Sequence, residues 1–488
     1  MGNTVQQATR PGSGATPPQG LRTFLILWAS QSISVIGTAL TFFATTVYLT
    51  QEMYPDAGQQ PRLAAALSIV ALAFALPTLL FVPIAGAAAD RHDRRRIMLV
   101  TNILAGCLSM VLVGLILGRG LELWVLALIQ AGFAVLQAFH GSAFDASAAM
   151  IVPAEQLPRA NGMMQTMWSL SGVLSPGIAA TLIALPAMAR RGTIAGAAGA
   201  FLARMSSGTA LAVTIDALTF FIAAAVLAFL TIPSPVRTDL RDARGKVRKN
   251  LLADIKEGAV YIVRRRPLLW LLGTFAVINF CGGPLGVVQP LVLKLNLAAD
   301  WGARGFGYET ALALLATVQG AGGLIGGLFI STWGGLKARR VYAVLGGAVL
   351  MGLAGMAYGF SRWLYVSAGC LAFSSFMLPV VNAHSQTIWQ TQTPRELHGR
   401  VFSVRRVIAQ FTWPMSAAFA GWAAGRFNPG MLMAALYVVM TVFCVAQLLN
   451  PAMRRVEDRE YIERMALGGK GAAMAAQAAA ERAVGGDS

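Results

Sequence analysis

Charged residues are scarce in this 488-residue chain: Asp, Glu, Lys and Arg together make up 12%, against about 25% in an ordinary water-soluble domain. That deficit excludes a molecule whose whole surface faces water. The acids are the rarer sign, 21 against 39 Lys and Arg, which leaves a net charge of +18. On a soluble protein such a charge would point to nucleic acid. Here the basic residues sit in short stretches between long apolar runs, a pattern that retention of those stretches on one side of a membrane explains better. No nucleic-acid partner is expected. Cysteine is scarce too. Cys107, Cys281, Cys370 and Cys444 all lie inside apolar runs and form no C-x-x-C pair, which leaves neither a disulfide framework nor a zinc site. The sequence has no G-x-x-x-x-G-K-[ST] loop to suggest ATP as an energy source. It also shows no nucleophile–base pair or metal-ligand cluster, so an enzyme is not expected and no cofactor is implied. The first twenty residues contain no apolar core of a cleavable leader. Residues 1–20 read as a disordered cytoplasmic tail.

What the chain has in abundance is apolar sequence, 56% of its residues. The long runs are Leu21–Thr50, Leu63–Ala85, Ile97–Leu117, Leu123–Ser147, Gly162–Leu185 and Thr209–Ile232, then Leu268–Leu293, Tyr308–Thr332, Val341–Phe360, Trp363–Ile388, Val401–Gly425 and Met431–Leu449. Crossing a bilayer takes about 20 apolar residues. Inside lipid the backbone must satisfy its own hydrogen bonds, so each run is expected to be a helix. The expectation is an all-α membrane protein of about twelve transmembrane helices.

The stretch 233–267 is too polar to span. It divides the chain into bundles at 21–232 and 268–450, with a tail at 451–488. Within it, Leu252, Ile255, Ala259 and Ile262 fall at helical spacing, which predicts an amphipathic helix on the membrane surface over about Leu251–Val263. Placing both termini in the cytoplasm gives the cytoplasmic loops roughly 22 Lys and Arg against roughly 9 outside, in keeping with the positive-inside rule. The two halves echo each other weakly. Gly86–Arg91 parallels Gly327–Thr332, Pro153–Arg159 parallels Pro394–Arg400, and Pro176–Ala180 parallels Pro414–Ala418. Such echoes are expected of two bundles related by an axis along the membrane normal.

The most distinctive motif is Gly86-Ala-Ala-Ala-Asp90-Arg91-His-Asp93-Arg94-Arg95-Arg96. Its small residues permit close helix contact. Asp90 sits where a carboxylate can accept from a neighbouring helix N-terminus. The arginines hold the loop in the cytoplasm and can bond carboxylates or lipid phosphates. The motif resembles the G-x-x-x-D-R-x-G-R-R signature of the major facilitator superfamily. Asp93, in place of the signature's Gly, resembles the drug-exporter branch that holds macrolide efflux proteins and siderophore (enterobactin) exporters. Phe139–Phe144, Arg159–Gly162, Asp216–Phe220 and Gly399–Phe402 resemble the same branch. The likeness runs from about Leu21 to Leu449. Two departures stand out. The antiporter signature around Pro176 keeps small residues at Ala179 and Ala180 in place of its glycines. The fourth run also reads Leu128-Ile-Gln130 where many proton-coupled members carry Arg.

The resemblance implies two pseudo-symmetric six-helix bundles that export amphipathic solutes of drug, macrolide or siderophore class by alternating access, with proton antiport. An importer of the same fold and a non-transporting scaffold or sensor are the alternatives. The expected setting is the bacterial inner membrane, with lipids, protons and a small-molecule substrate as partners and a monomeric chain. Gln31, Ser34, Thr38, Thr41 and Thr45 form a polar stripe on the first run. Gln31, Ser34 and Thr38 are expected to line the substrate cavity with Gln137, Asn279 and Ser375, with Asn382 and Gln386 at its cytoplasmic mouth. An interhelical hydrogen-bond seam is the alternative for the stripe. Ionisable groups within the runs are few, and His140, Asp145 and Asp216 are the coupling candidates. Asp216 could instead bond Thr214 or Thr219. Gly86, Asp90, Arg91, Arg94 and Arg95 form the gating motif, and Pro176, Ala179, Ala180 and Pro414 form packing sites.

Overall fold

A computed structural model describes residues 20–153, 156–232, 251–394 and 397–466. The tail before residue 20, the basic stretch 233–250, residues 154–155 and 395–396, and the segment after 466 lie outside the described residues. All regular structure among the described residues is helical. The first bundle comprises α1 (Gly20–Val47), α2 (Gln60–Arg91), α3 (Arg94–Leu117), α4 (Leu123–Ile151), α5 (Leu157–Arg190), the short α6 (Gly196–Arg204) and α7 (Gly208–Phe229). Next come α8 (Leu251–Arg264), α9 (Arg266–Gly282), α10 (Leu285–Leu295) and the short α11 (Ala298–Ala303). The chain continues through α12 (Tyr308–Trp333), α13 (Arg340–Phe360), α14 (Leu364–Gln392), α15 (His398–Ala424), α16 (Pro429–Leu449) and α17 (Pro451–Arg454). Among the described residues, 11 helical segments are long and apolar enough to cross a membrane. The remaining long helix, α15, has 27 residues and carries Arg400, Arg405 and Arg406 in its first turns.

Each long apolar run is helical, with two refinements. The run Leu268–Leu293 is broken. Gly282-Gly283-Pro284 ends α9 and starts α10, because proline cannot donate to the helix ladder. The Phe280 carbonyl near this break accepts from Ser416 Oγ of α15 at 3.0 Å, so the loosened backbone is satisfied by a neighbouring helix. The short helices α6 and α11 were not anticipated; six to nine residues are too few to show a period.

The bundles repeat one packing plan. In the first, α2 packs on α4, α3 on α4 and α7, and α1 on α5 and α7. In the second, α12 packs on α14, α13 on α14 and α16, and α9 on α15 and α16. These are the same pairings displaced by six spans. The bundles meet through α2 against α15 and α5 against α12. A Cβ added at Gly320 of α12 would stand 2.8 Å from the Gly172 carbonyl oxygen of α5, so this crossing requires glycine at 320. Of the two overlapping G-x-x-x-G pairs in α12, Gly322 and Gly326 lie directly against the Ala372 and Phe376 carbonyls of α14. Close packing of backbones is their role.

The helix α8 forms where periodicity predicts it. Its Tyr261 and Ile262 are buried, and Tyr261 Oη donates to the Gln392 carbonyl at 3.0 Å. This face packs on protein, chiefly α15 and α9. The segment from Pro451 to residue 466 is likewise tied to the second bundle. Glu463 pairs with Arg265 at 2.8 Å and Glu457 with Arg340 at 3.5 Å.

Candidate functional site

The basic corners at Arg94–Arg96, Arg264–Arg266 and Arg339–Arg340 lie at one end of the helices, called here the basic end. At the far end the bundles are stitched together. Gln60 Nε2 of α2 donates to the Ala424 and Phe427 carbonyls at 2.7 and 3.0 Å. Deeper in, Ser68 Oγ donates to the Ala417 carbonyl of α15 at 2.5 Å. Lys294 Nζ of α10 donates to the Thr50 and Tyr54 carbonyls at 2.7 and 2.5 Å. Tyr308 Oη of α12 lies 3.4 Å from Thr50 Oγ1.

Beyond this seal, on the basic side, a cavity of about 700 Å³ lies between the bundles. Its first-bundle wall is α2, with Phe74 and Thr78. The second bundle supplies most of its polar lining: Asn279 of α9, Gln319 of α12, Ser374 and Ser375 of α14, and Arg406 of α15. Trp413 and Pro414 of α15 add apolar surface. A concave, mostly apolar chamber with a few convergent polar groups is the usual form of a small-molecule site. Asn279 sits one turn before the α9–α10 break, so the break opens directly beside the chamber.

The structure divides the set of expected cavity residues. Asn279 and Ser375 line the large chamber. Gln31, Ser34, Thr38 and Gln137 line a separate cavity of about 30 Å³ inside the first bundle, with Asn102 and His140. That volume matches about one water molecule. Gln31 Oε1 and Asn102 Nδ2 are buried beside it without a hydrogen-bond partner among the described residues. The ring of Phe74 borders both cavities and packs edge-on to Phe42 at 4.9 Å. The first-helix stripe therefore splits in use: its upper part lines the small cavity, while Thr41 bonds across to another helix.

Thr41 Oγ1 donates to Asp216 Oδ2 of α7 at 2.5 Å, and Ser109 Oγ of α3 does so at 3.3 Å. Asp216 is 1% exposed. Its other oxygen, Oδ1, has no hydrogen-bond partner among the described residues. The expected local partners are not the ones used: Thr219 donates to the Asp216 backbone carbonyl and Thr214 to that of Ala210. Both hydroxyls turn back onto their own helix, which leaves the carboxyl to α1 and α3. Gly37 of α1 makes the approach possible, since a Cβ there would come within 2.7 Å of Asp216 Oδ1. His140 Nδ1 lies 3.2 Å from Thr101 Oγ1. Asp145 is exposed on α4. The three coupling candidates are therefore not one cluster.

The gating motif is anchored largely through backbone carbonyls. Arg94 Nε donates to the Ala89 carbonyl and Nη1 to that of Ala146 on α4, both at 3.0 Å. Arg95 donates to the Leu227 carbonyl at 2.8 Å and to that of Ala228, at the C-terminus of α7. Both arginines thus bond backbone carbonyls near helix ends, where negative charge is presented. Arg91 is exposed. Asp93 N-caps α3, accepting from the Arg95 and Arg96 amides at 3.0 and 3.4 Å. A cap of this kind accounts physically for Asp where the signature has Gly. Asp90 is 67% exposed and pairs with Arg94 at 3.8 Å. A Cβ at Gly86 would meet nothing within 4 Å, so the close contact that glycine permits is not made in this conformation. Farther along the basic end, Asn382 is exposed, and Gln386 Oε1 accepts from Arg405 at 2.5 Å. Pro176, Ala179 and Ala180 are buried in α5.

Sequence reasoning missed Thr78, Gln319, Arg406 and Trp413 of the large chamber, and Asn102 and Ser109 behind it. Arg406 had a legible signal. It is the sixth residue of the apolar run Val401–Gly425, and an ionisable group in such a run is a functional candidate by default. The polar α2 and α12 residues had only their position within such runs.

The Major Facilitator Superfamily profile matches residues 27–418. Among curated relatives, Macrolide efflux protein A of Streptococcus pyogenes is 24% identical over 426 residues, covering 86% of this chain and 95% of that protein. The Multidrug efflux pump Tap of Mycolicibacterium fortuitum is 25% identical, covering 80% and 88%. Among solved structures, a bacterial homologue of the human lysosomal transporter Spinster superposes with a TM-score of 0.58 at 17% identity, covering 93% of this chain and 98% of that one. A bacterial homologue of the iron transporter ferroportin gives 0.56 at 18% identity, covering 87% and 98%. At these identities the solved structures show the fold alone. The chain is a multi-pass membrane transporter, not an enzyme, and belongs to the Major Facilitator Superfamily.

Proposed function

We propose that this protein exports amphipathic organic solutes across the bacterial inner membrane by alternating access, in exchange for protons. The observation that carries the reading is the chamber of about 700 Å³ between the bundles, sealed at one end by bundle-crossing hydrogen bonds. A midplane site between two pseudo-symmetric halves suits rocking of one half against the other. The excess of Lys and Arg at the basic end supports a cytoplasmic placement of that end, of both termini and of the 233–267 link. The chamber then faces the cytoplasm in this state, ready to load cargo from inside. The names of the efflux relatives support the outward direction. Asp216, Asp145 and His140 are the groups proposed to take up and release the proton, and the protein acts as a monomer among membrane lipids.

The test is flux in proteoliposomes under an imposed proton gradient, against a panel of macrolides, siderophores and cationic dyes. Gradient-dependent accumulation of a panel member, abolished by a protonophore, is the expected result. Gradient-independent flux would overturn proton antiport, and absence of any flux would favour a scaffold or sensor. Orientation is tested with a cysteine at Arg244, which should resist an impermeant thiol reagent in intact cells.

A further inference from the structure

Two adjacent arginines on α15 have different surroundings. Arg405 is engaged by protein: it donates to Gln386 at 2.5 Å and lies 5.7–5.8 Å from the ring centroids of Phe275, Trp389 and Phe402. Arg406 is exposed and lines the large chamber. Its side chain has no hydrogen bond or ion pair with another described residue. Arg406, Ala409 and Trp413 fall at spacing i, i+3 and i+7, so the guanidinium and the indole share one face of the helix. Arg406 stands eight residues into α15, about 12 Å along its axis. Among the described residues, no Asp or Glu lines the chamber. A fixed positive charge inside a cavity between helix bundles, without a counter-charge among the described lining residues, is costly to keep. A planar guanidinium is also the side chain best shaped to grip a carboxylate, sulfonate or phosphate in two-pronged fashion.

We propose that Arg406 is the anion-recognising residue of the cargo site, so that the preferred cargo is an amphiphile with one anionic group beside an apolar body. The anion sits on the guanidinium, and the body lies along Trp413 and Phe74. This assignment rests on the reading of the large chamber as the cargo site. It separates this protein's preferred cargo from purely cationic amphiphiles, which Arg406 would repel.

The test uses the full chain in lipid nanodiscs and two fluorescent probes that share a ring system, 1-anilinonaphthalene-8-sulfonate and its uncharged parent N-phenyl-1-naphthylamine, with the signal of empty discs subtracted. Wild type should bind the sulfonate more tightly than the parent. Arg406→Gln should weaken the sulfonate about tenfold or more and the parent less than about twofold, and Arg406→Lys should restore part of the difference. Equal losses for both probes, or wild-type affinity for the sulfonate no better than for the parent, overturns the proposal. Discs of phosphatidylcholine alone and discs containing phosphatidylglycerol distinguish the source of the anion. Competition by phosphatidylglycerol in wild type but not in Arg406→Gln assigns it to a lipid headgroup, and lack of competition assigns it to a free solute; either result keeps the anion site. Flux of the sulfonate from proteoliposomes is read separately. Arg406-dependent binding without flux leaves the anion site standing and counts against the export reading.

Discussion

Lys294 joins the two bundles by donating to the Thr50 backbone carbonyl at 2.7 Å, and the same ammonium reaches the Tyr54 carbonyl. Both acceptors lie at the π-helical turn Tyr48–Met53 that ends the first span. The interaction places a cation on the negative end of a helix. Charge-assisted hydrogen bonds contribute about 1.5–3 kcal/mol each when buried, and partial exposure lowers that here. Lys294→Met should destabilise closure of the far end by about 1–2 kcal/mol, roughly tenfold in population. In a cysteine-free background, a cysteine at Thr45 should then react faster with a reagent added from the far side. Unchanged reactivity would remove Lys294 from the latch.

Asp90 is two-thirds exposed, and its nearest ionic partner is on its own bundle. In the proposed cycle it bonds the start of α15, near Val401–Arg406, only when the basic end closes. Asp90→Asn should shift the population toward the conformation seen here and slow transport, with little loss of folded protein. Flux assays and the labelling rate of a cysteine at Ser375 from the basic side would report both effects. Normal flux with normal labelling would leave Asp90 as a boundary marker.

Keeping an ionisable carboxyl inside a membrane span costs about 2.5–3.5 kcal/mol on insertion scales. Asp216 is held there by two hydroxyls with one oxygen left over. As a coupling group, Asp216→Asn should abolish gradient-driven accumulation yet keep exchange of cargo down its own gradient. As a structural group, it should lower thermal stability and leave the pH dependence of residual flux unchanged. Asp145→Asn and His140→Gln complete the set. Wild-type accumulation in all three variants would exclude a proton relay through these side chains.

Asp93 caps α3, and loss of such a cap costs about 1 kcal/mol. Asp93→Ala should lower the melting temperature of the purified protein, while Asp93→Ser should recover most of the loss. Asp93→Gly, the signature's own residue, should lose less than Asp93→Ala does, because glycine is tolerated at a helix N-cap; equal melting temperatures for wild type and Asp93→Ala would remove the cap from the account.

The spans were legible because an apolar run of sufficient length has one outcome in lipid, and the echo of Pro176 in Pro414 already pointed to two related halves. The division of the polar residues was not legible. Helical spacing places Gln31, Ser34 and Thr38 on one face, but it cannot say that the ring of Phe74 comes between that face and the large chamber. The partners of Asp216 lie 175 and 107 residues away, beyond any local pattern. The motif arginines were read as lipid or carboxylate ligands because a sequence does not show which helix ends will come near. Arg94 pairs with the Asp90 carboxylate, and Arg94 and Arg95 also reach carbonyls near the ends of α4 and α7.

Phe74 has a consequence for how such a protein can diversify. Apart from Thr78, the polar lining of the large chamber comes from the second bundle, whereas Asp216 and the small polar cavity belong to the first. A solute lodged against Asn279 and Arg406 and a proton held on Asp216 would touch no side chain in common. Cargo preference could then drift by substitution in one half while the supply of driving force in the other stays fixed, and the two would communicate through the ring of Phe74 and the tilt between halves.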